Sequence, residues 1–193
     1  MAKVNIKINN IPVQVDEGIT ILQAAKQAGV KIPTLCYLKD INAIGACRVC
    51  VCEVKGARSL VAACVYPVSE GMEVFTNTKK VMDSRKTTVE LILSDHEQNC
   101  LSCVRNNNCE LQKLALDLGC DSHKYAGVKN KYNIDMSTPY IVRDNNKCVL
   151  CRRCVAACAQ YQSVAVIGAN ARGFDTHIGC AFEKPVSYTH LRA

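Results

Sequence analysis

Tryptophan is absent from this chain of 193 residues, and aromatic side chains make up only 5% of it. That excludes a large aromatic core and points to small domains held by a staple, a metal or a disulfide being the usual means. No apolar run approaches the roughly 20 residues that cross a bilayer, so no membrane span is expected. Met1-Ala2-Lys3-Val4-Asn5-Ile6 opens a strand pattern and not a charged segment followed by an apolar one, so no secretory signal is read there. Tight C-x2-C pairs in such a chain read as metal ligands, and the expected location is the cytoplasm. Basic residues are scattered, with no aromatic platform between them for stacking bases, so the net charge of +7 is not read as a nucleic-acid footprint.

Cysteine is what the chain has in abundance. Of fourteen, eleven fall with one histidine into three groups. Cys36, Cys47, Cys50 and Cys64 are separated by ten, two and thirteen residues. His96, Cys100, Cys103 and Cys109 follow with gaps of three, two and five. Cys148, Cys151, Cys154 and Cys158 close the series with gaps of two, two and three. Soft thiolates select iron–sulfur clusters, zinc or copper(I), and three groups in succession read as an electron wire. Loaded clusters of about −2, −2 and −1 would also bring the net charge to roughly +2.

Each group has a plainer competitor. For the first it is a zinc ribbon, but such ribbons pair two C-x2-C knuckles and here only Cys47 and Cys50 form one. Gly45 and Ala46 precede that knuckle, small enough to let backbone amides reach sulfur. A 2Fe–2S cluster on a β-grasp frame is the reading, although the ten-residue first gap departs from plant-type ferredoxins. For the second group a 4Fe–4S cluster and a zinc ion held by three cysteines and one histidine both stay open. His96 lies four residues before Cys100, close enough for one helical turn to face both the same way. The third group is the bacterial ferredoxin run, whose fourth cysteine ordinarily serves a neighbouring cluster. Ala159 stands where a proline usually follows it. Cys52 reads as a small buried hydrophobe, Cys120 as an ordinary thiol, and Cys180 as a possible completion of the third site. Tyr66, Tyr161 and the apolar stripe of the helix read as packing residues and not as redox relays.

Local patterns supply the scaffold. Val4, Ile6 and Ile8 alternate with polar residues, Asn9-Asn10 makes a turn, and Ile11, Val13 and Val15 alternate again, which predicts a hairpin. Ile19, Leu22, Ala25 and Ala28 predict a helix ended by Gly29. Short strands are expected over 51–54, 60–64 and 72–76. Asn77 or Thr78 is placed to cap a second helix whose face runs through Val81, Arg85, Thr88 and Leu91-Ile92. A third helix is expected from Cys109 to Leu118, stopped by Gly119, and residues 120–139 read as a polar linker.

Three stretches carry a resemblance: Ile44-Gly45-Ala46-Cys47-Arg48-Val49-Cys50, Asp95-His96-Glu97-Gln98-Asn99-Cys100-Leu101-Ser102-Cys103, and Lys147-Cys148-Val149-Leu150-Cys151-Arg152-Arg153-Cys154. With them the chain resembles the N-terminal electron-transfer half of FeFe-hydrogenase catalytic subunits, especially NAD(P)-linked multisubunit ones. It is also similar to the large cluster-bearing subunit of respiratory complex I and to the matching part of NAD-dependent formate dehydrogenases. Residues 171–177 look most like the hydrogenase branch.

The resemblance implies an α+β fold in three modules. These are a β-grasp 2Fe–2S ferredoxin domain over 1–78, a small helical 4Fe–4S domain with one His and three Cys ligands over 79–119, and, after the 120–139 linker, a partial bacterial-ferredoxin-like 4Fe–4S domain over 140–185. It implies flavin/NAD(P)-binding and other iron–sulfur subunits as partners. It further implies a chain that stops before the second ferredoxin run and the catalytic H-cluster domain, with 186–193 as a non-native tail. The relay would then make no bonds itself, and Cys158 would lack its cluster. A zinc-stabilised binding module without redox role is the alternative from another class.

Overall fold

The computed structural model describes residues 2–136 and 140–183. The expected tail at 186–193 lies outside them. Lys3–Ile8 (β1) and Ile11–Asp16 (β2) form the hairpin, paired antiparallel from Lys3↔Asp16 to Ile8↔Ile11. Both turn residues have positive φ, Asn9 at 50° and Asn10 at 68°, the two-residue turn whose twist matches the strands and which asparagine tolerates. Val51–Val54 (β3), Val61–Ala62 (β4) and Glu73–Phe75 (β5) complete a five-stranded sheet in the order β2-β1-β5-β3-β4. β1 and β5 run parallel, the other pairs antiparallel.

Ile21–Gln27 (α1) lies on this sheet behind a capping box, in which Thr20 Oγ1 accepts from Gln23 N–H and the Gln23 side chain takes the Thr20 N–H. Its buried face is Ile21, Ala24 and Ala25, with Ile19, Leu22 and Ala28 only at the margin. The sequence pattern caught one flank of that face, because the small Ala24 weighs little in a periodicity while fitting closest to the strands. With Ile6, Ile8, Val15 and Val74 these residues form the first core, which also contains Cys50, Cys52 and Cys64.

Lys79–Asp95 (α2) starts at Thr78, whose hydroxyl accepts from Val81 N–H and donates to Glu53 Oε2 at 2.8 Å. The helix buries Val81, Arg85, Val89, Glu90 and Leu93, while Leu91 is 53% exposed. The predicted face holds at Val81 and Arg85 and drifts in its second half, where the charged Glu90 inside the stripe disguised it. Glu110–Asp117 (α3) buries Leu111 and Leu114 against α2 and ends at Leu118 and Gly119, the latter with φ 58°. Leu35, Val49, Val89, Leu93, Leu111 and Leu114 make the second core, with Cys47, Cys109 and Val149 packed on its edge.

Residues 120–136 contain no helix, and of strand only the isolated Asp135↔Arg143 bridge. They are nevertheless tied down: Asp121 N–H and Lys124 Nζ reach Glu90, and Asn130 donates to Asp95 and to the Phe174 carbonyl. Beyond them Arg153–Ala156 (α4) runs into a π-helical turn over Ala157–Tyr161, and Ile167–Asn170 (β6) pairs with His177–Cys180 (β7). Tyr161 is 76% exposed and is no core residue, because the π turn swings it outward. The fold is α+β, as expected.

Candidate metal centres

The first group is assembled at the rim of the sheet. Cys36 sits on the loop after α1, Cys47 and Cys50 on the turn into β3, and Cys64 just past β4. Cys36, Cys50 and Cys64 are each 1% exposed, and the fourteen cysteines are all free thiols. Hydrogen bonds from the Cys47 and Cys64 thiols, with the backbone amides of Cys47 and Ala46, hold the Cys36 thiol far below the usual thiol range. Cys50 is lowered to about 7, chiefly by the Cys64 thiol. Cys47 and Cys64 are pushed up in return, Cys47 by Cys36 and Cys64 by Cys36 and then Cys50. The four thiols are thus close enough to shift one another's ionisation, Cys36 with Cys47 and Cys64, and Cys50 with Cys64. Gly45, with φ 63°, makes the approach possible: a Cβ there would come within 3.2 Å of Val65 Cγ2. Arg48 is also left-handed, at φ 55°, and the Val49 amide beyond it acts on the Cys47 thiol. Cys52 is a neighbour outside this set. Burial raises its thiol to about 11.

The second group gathers where α2 ends and α3 begins. His96 is the residue after α2, Cys100 opens a short 3-10 turn, and Cys109 caps α3. Gln112 N–H donates to Cys109 Sγ at 3.5 Å and Arg105 N–H to Cys103 Sγ at 3.5 Å. Amides aimed at sulfur stabilise thiolate, and the start of a helix adds its dipole. His96 Nδ1 is buried with no hydrogen-bond partner. Burial first, then Lys129 and Lys147, lower its pKa, so the ring is kept neutral. A neutral imidazole with an unsatisfied buried nitrogen is what ligation requires, and this fits His96 beside three cysteines.

In the third group Leu150 N–H donates to Cys148 Sγ at 3.4 Å, and Leu150 and Arg152 both have positive φ. Burial raises the Cys148 and Cys154 thiols, with Cys151 acting on both and Arg143 opposing. Arg143 also points Nη1 at Cys180 Sγ, 3.9 Å away, so Cys180 shares a cation with this group. Cys158 is 4% exposed and faces, with Cys154, Ile41 and Tyr161, a cavity of about 450 Å³. Among the described residues no three His, Cys, Asp or Glu side chains are grouped tightly enough to hold one metal ion.

Two residues that join the groups carried no spacing signal. Asn42, 3% exposed, donates from Nδ2 to the carbonyls of Cys36 at 2.8 Å and Cys151 at 3.1 Å. Glu97 N–H bonds the Asn146 carbonyl at 2.9 Å, linking the second group to the third. Only partners distant in sequence give either residue its role.

Comparison with known proteins follows this order of sites. Family models match in succession: a 2Fe–2S iron–sulfur cluster binding domain over residues 1–79, the NADH-ubiquinone oxidoreductase-G iron–sulfur binding region over 85–124, and the ferredoxin-like domain of NADH-quinone oxidoreductase subunit 3 over 138–190. The NADP-reducing hydrogenase subunit HndD of Solidesulfovibrio fructosivorans is 41% identical over 98% of this chain. Module by module, the chain is similar to the iron–sulfur region of NADH-G/HndD-like subunits. It spans 33% of HndD and 26% of the NADH-ubiquinone oxidoreductase 75 kDa subunit of Reclinomonas americana, to which it is 33% identical over 94% of its own length. A crystal structure of an NAD+-reducing NiFe-hydrogenase in the H2-reduced state superposes with a TM-score of 0.86 at 27% identity, covering 93% of this chain and 75% of that one. The region carries 2Fe–2S and 4Fe–4S cluster-binding domains. Among the described residues no helix is long and apolar enough to cross a membrane.

Proposed function

We propose that this region is the electron relay of a cytoplasmic NAD(P)-linked FeFe-hydrogenase subunit, passing electrons between a flavin/NAD(P)H-binding partner and a hydrogen-forming site. Cys36, Cys47, Cys50 and Cys64 hold the 2Fe–2S cluster. His96, Cys100, Cys103 and Cys109 hold a 4Fe–4S cluster, and Cys148, Cys151 and Cys154 contribute to a further one, with Cys158 turned to a neighbouring cluster. The domain limits are those set out from the sequence, 1–78, 79–119 and 140–185. Bound clusters supply reversible one-electron chemistry; the chain holds them at set spacing and tunes them through ligand type, amide hydrogen bonds and burial.

The observation that carries this reading is the common core. Cys47 from the first group, Cys109 from the second and Val149 from the third all lie on the edge of one apolar cluster, and Asn42 ties the Cys36 and Cys151 backbones together. Three redox sites braced against one rigid core keep fixed distances, as a wire needs. Identity to HndD supports the hydrogenase setting. The oxidoreductase-G and subunit 3 family descriptions favour a second reading, the same relay in NADH-quinone oxidoreductase.

Anaerobic reconstitution, followed by iron, sulfide and zinc analysis, tests the sites. Two intact clusters predict roughly six irons per chain and a third raises this toward about ten; zinc without iron and sulfide sinks the proposal. Mixing the reduced-cofactor subunits of each complex with the loaded chain separates the settings. Cluster reduction by NAD(P)H through the hydrogenase's flavin subunit is expected, and reduction only through the quinone-reducing complex's flavin subunit moves the assignment there.

A further inference from the structure

Arg85 is a buried cation that meets no carboxylate among the described residues. It lies on the inner face of α2 and is 4% exposed. Its Nη2 donates to the Val51 carbonyl at 2.8 Å and stands 3.9 Å from Cys52 Sγ, and its Nε is buried with no hydrogen-bond partner. Among the described residues no ion pair includes it. Both groups it touches border Cys50: Val51 follows it in the chain, and the Cys52 thiol donates to the Cys50 carbonyl at 3.7 Å. Burying a guanidinium is costly unless an opposite charge lies close by, and removal of one partner of a buried pair is more costly still. Another buried charge on the same helix shows the usual solution: Glu90 is met by Lys124 Nζ at 2.9 Å and by the Asp121 amide. Arg85 has only a carbonyl and a thiol, and behind them the Cys50 ligand position. The missing anion is therefore expected on the far side of Cys50.

We propose that Arg85 is the protein's built-in counter-charge for the first metal centre, a positioning residue that acts through Cys50 and raises the reduction potential of the cluster held there. This rests on the assignment of Cys36, Cys47, Cys50 and Cys64 to a 2Fe–2S cluster. One-electron reduction of the cluster adds one negative charge and moves no ligand. A fixed buried cation stabilises the more negative, reduced form over the oxidised one, because the surrounding apolar core screens it weakly. The same argument explains a charged residue standing in the middle of an apolar helix stripe. Without the cluster Arg85 is a burden on the fold; with it, the charge is matched.

The test is an EPR-monitored redox titration of the reconstituted 193-residue chain, with dithionite as electron donor, in wild type, Arg85→Met and Arg85→Lys. Arg85→Met is expected to weaken cluster reduction at least tenfold, a downward shift of about 59 mV for a one-electron couple. Arg85→Lys keeps the charge and is expected to recover most of that shift. An unchanged potential in Arg85→Met, with the signal intact, overturns the proposal. If Arg85→Met does not assemble its cluster, thermal unfolding of the iron-free chains decides. A higher Tm than iron-free wild type supports an unmatched charge, and a lower one makes Arg85 a structural strut and overturns it. Wild-type chain without a 2Fe–2S signal refutes the ligand assignment itself, and this proposal with it, a failure distinct from any change on substitution.

Discussion

Cys36, Cys50 and Cys64 lie inside a region closed by a five-stranded sheet and a capped helix, whereas Cys148, Cys151 and Cys154 are half-covered or open on a segment whose sheet is the β6–β7 pair. Around the first group the chain has an apolar core of its own: Ile8, Ile21 and Ala24 are fully buried there. Around the third, the buried apolar residues among those described are Cys158, Ile178 and Cys180. Seven non-glycine residues between Leu150 and Glu183 have positive φ, a backbone bent mostly to aim amides and side chains. The two regions divide the work of folding differently. Burial organises the first site in advance of any ligand, and the third depends on what it binds.

Removal of iron should break the likeness between them most. In the stripped chain, amides of β1, β3 and β5 are expected to stay protected from hydrogen exchange while those of 148–180 exchange as open chain. Equal protection in both halves contradicts the division. Next in size, Ile8→Ala should cost about 2–5 kcal/mol in denaturant unfolding of the stripped chain, since it empties a fully buried site. Tyr161→Ala, at an exposed position in the other region, should stay within about 0.5 kcal/mol of wild type. A large loss there shows that the third region has a core of its own. Thr20→Ala removes the capping box of α1 and should cost about 1 kcal/mol, with Thr20→Ser restoring most of it; a neutral change leaves α1 held by burial alone.

The smallest effect concerns pH. His177 Nδ1 faces the Asp175 carbonyl at 2.9 Å and Nε2 faces Glu183 Oε1 at 2.7 Å. Both neighbours are acceptors, so the ring satisfies both only as imidazolium, and its pKa is raised, by the Asp175 carbonyl first and then Glu183. A group with a raised folded pKa contributes stability that is whole below its unfolded value of about 6.5 and is lost as pH rises through the folded value. The β6–β7 segment should therefore loosen on the alkaline side of pH 6.5, and His177→Gln should flatten that slope in hydrogen exchange. In the first region, which has no contact with His177, His177→Gln should leave the pH profile unchanged.

Much of this architecture was legible in the residues. The Asn9-Asn10 turn, the period-two strands, the Thr78 cap and the Gly119 stop are local effects, set by backbone φ preferences and by hydrogen bonds reaching three or four residues. The cluster-binding character of the chain was legible for a chemical reason: a cluster takes soft ligands, and close cysteine pairs along the chain are the simplest way to bring two of them together. The burial of Val89 and Leu93 over Leu91 was not legible, because a stripe holding Glu90 reads as amphipathic only when its partners, Lys124 and the Asp121 amide, are known. Asn42 gave no sign in a loop of mixed composition, since its two carbonyl partners lie 6 and 109 residues away.

By itself, then, the sequence determined which side chains are suited to hold clusters and which short segments become strand, turn or helix, because ligand chemistry and backbone preference act over a few bonds. Only the tertiary structure decided that Cys47, Cys109 and Val149 meet on one core, that Asn42 ties the Cys36 and Cys151 backbones, and that an arginine is buried against Val51 and Cys52. Those outcomes depend on burial and charge balance between residues far apart in the chain, which no local pattern encodes.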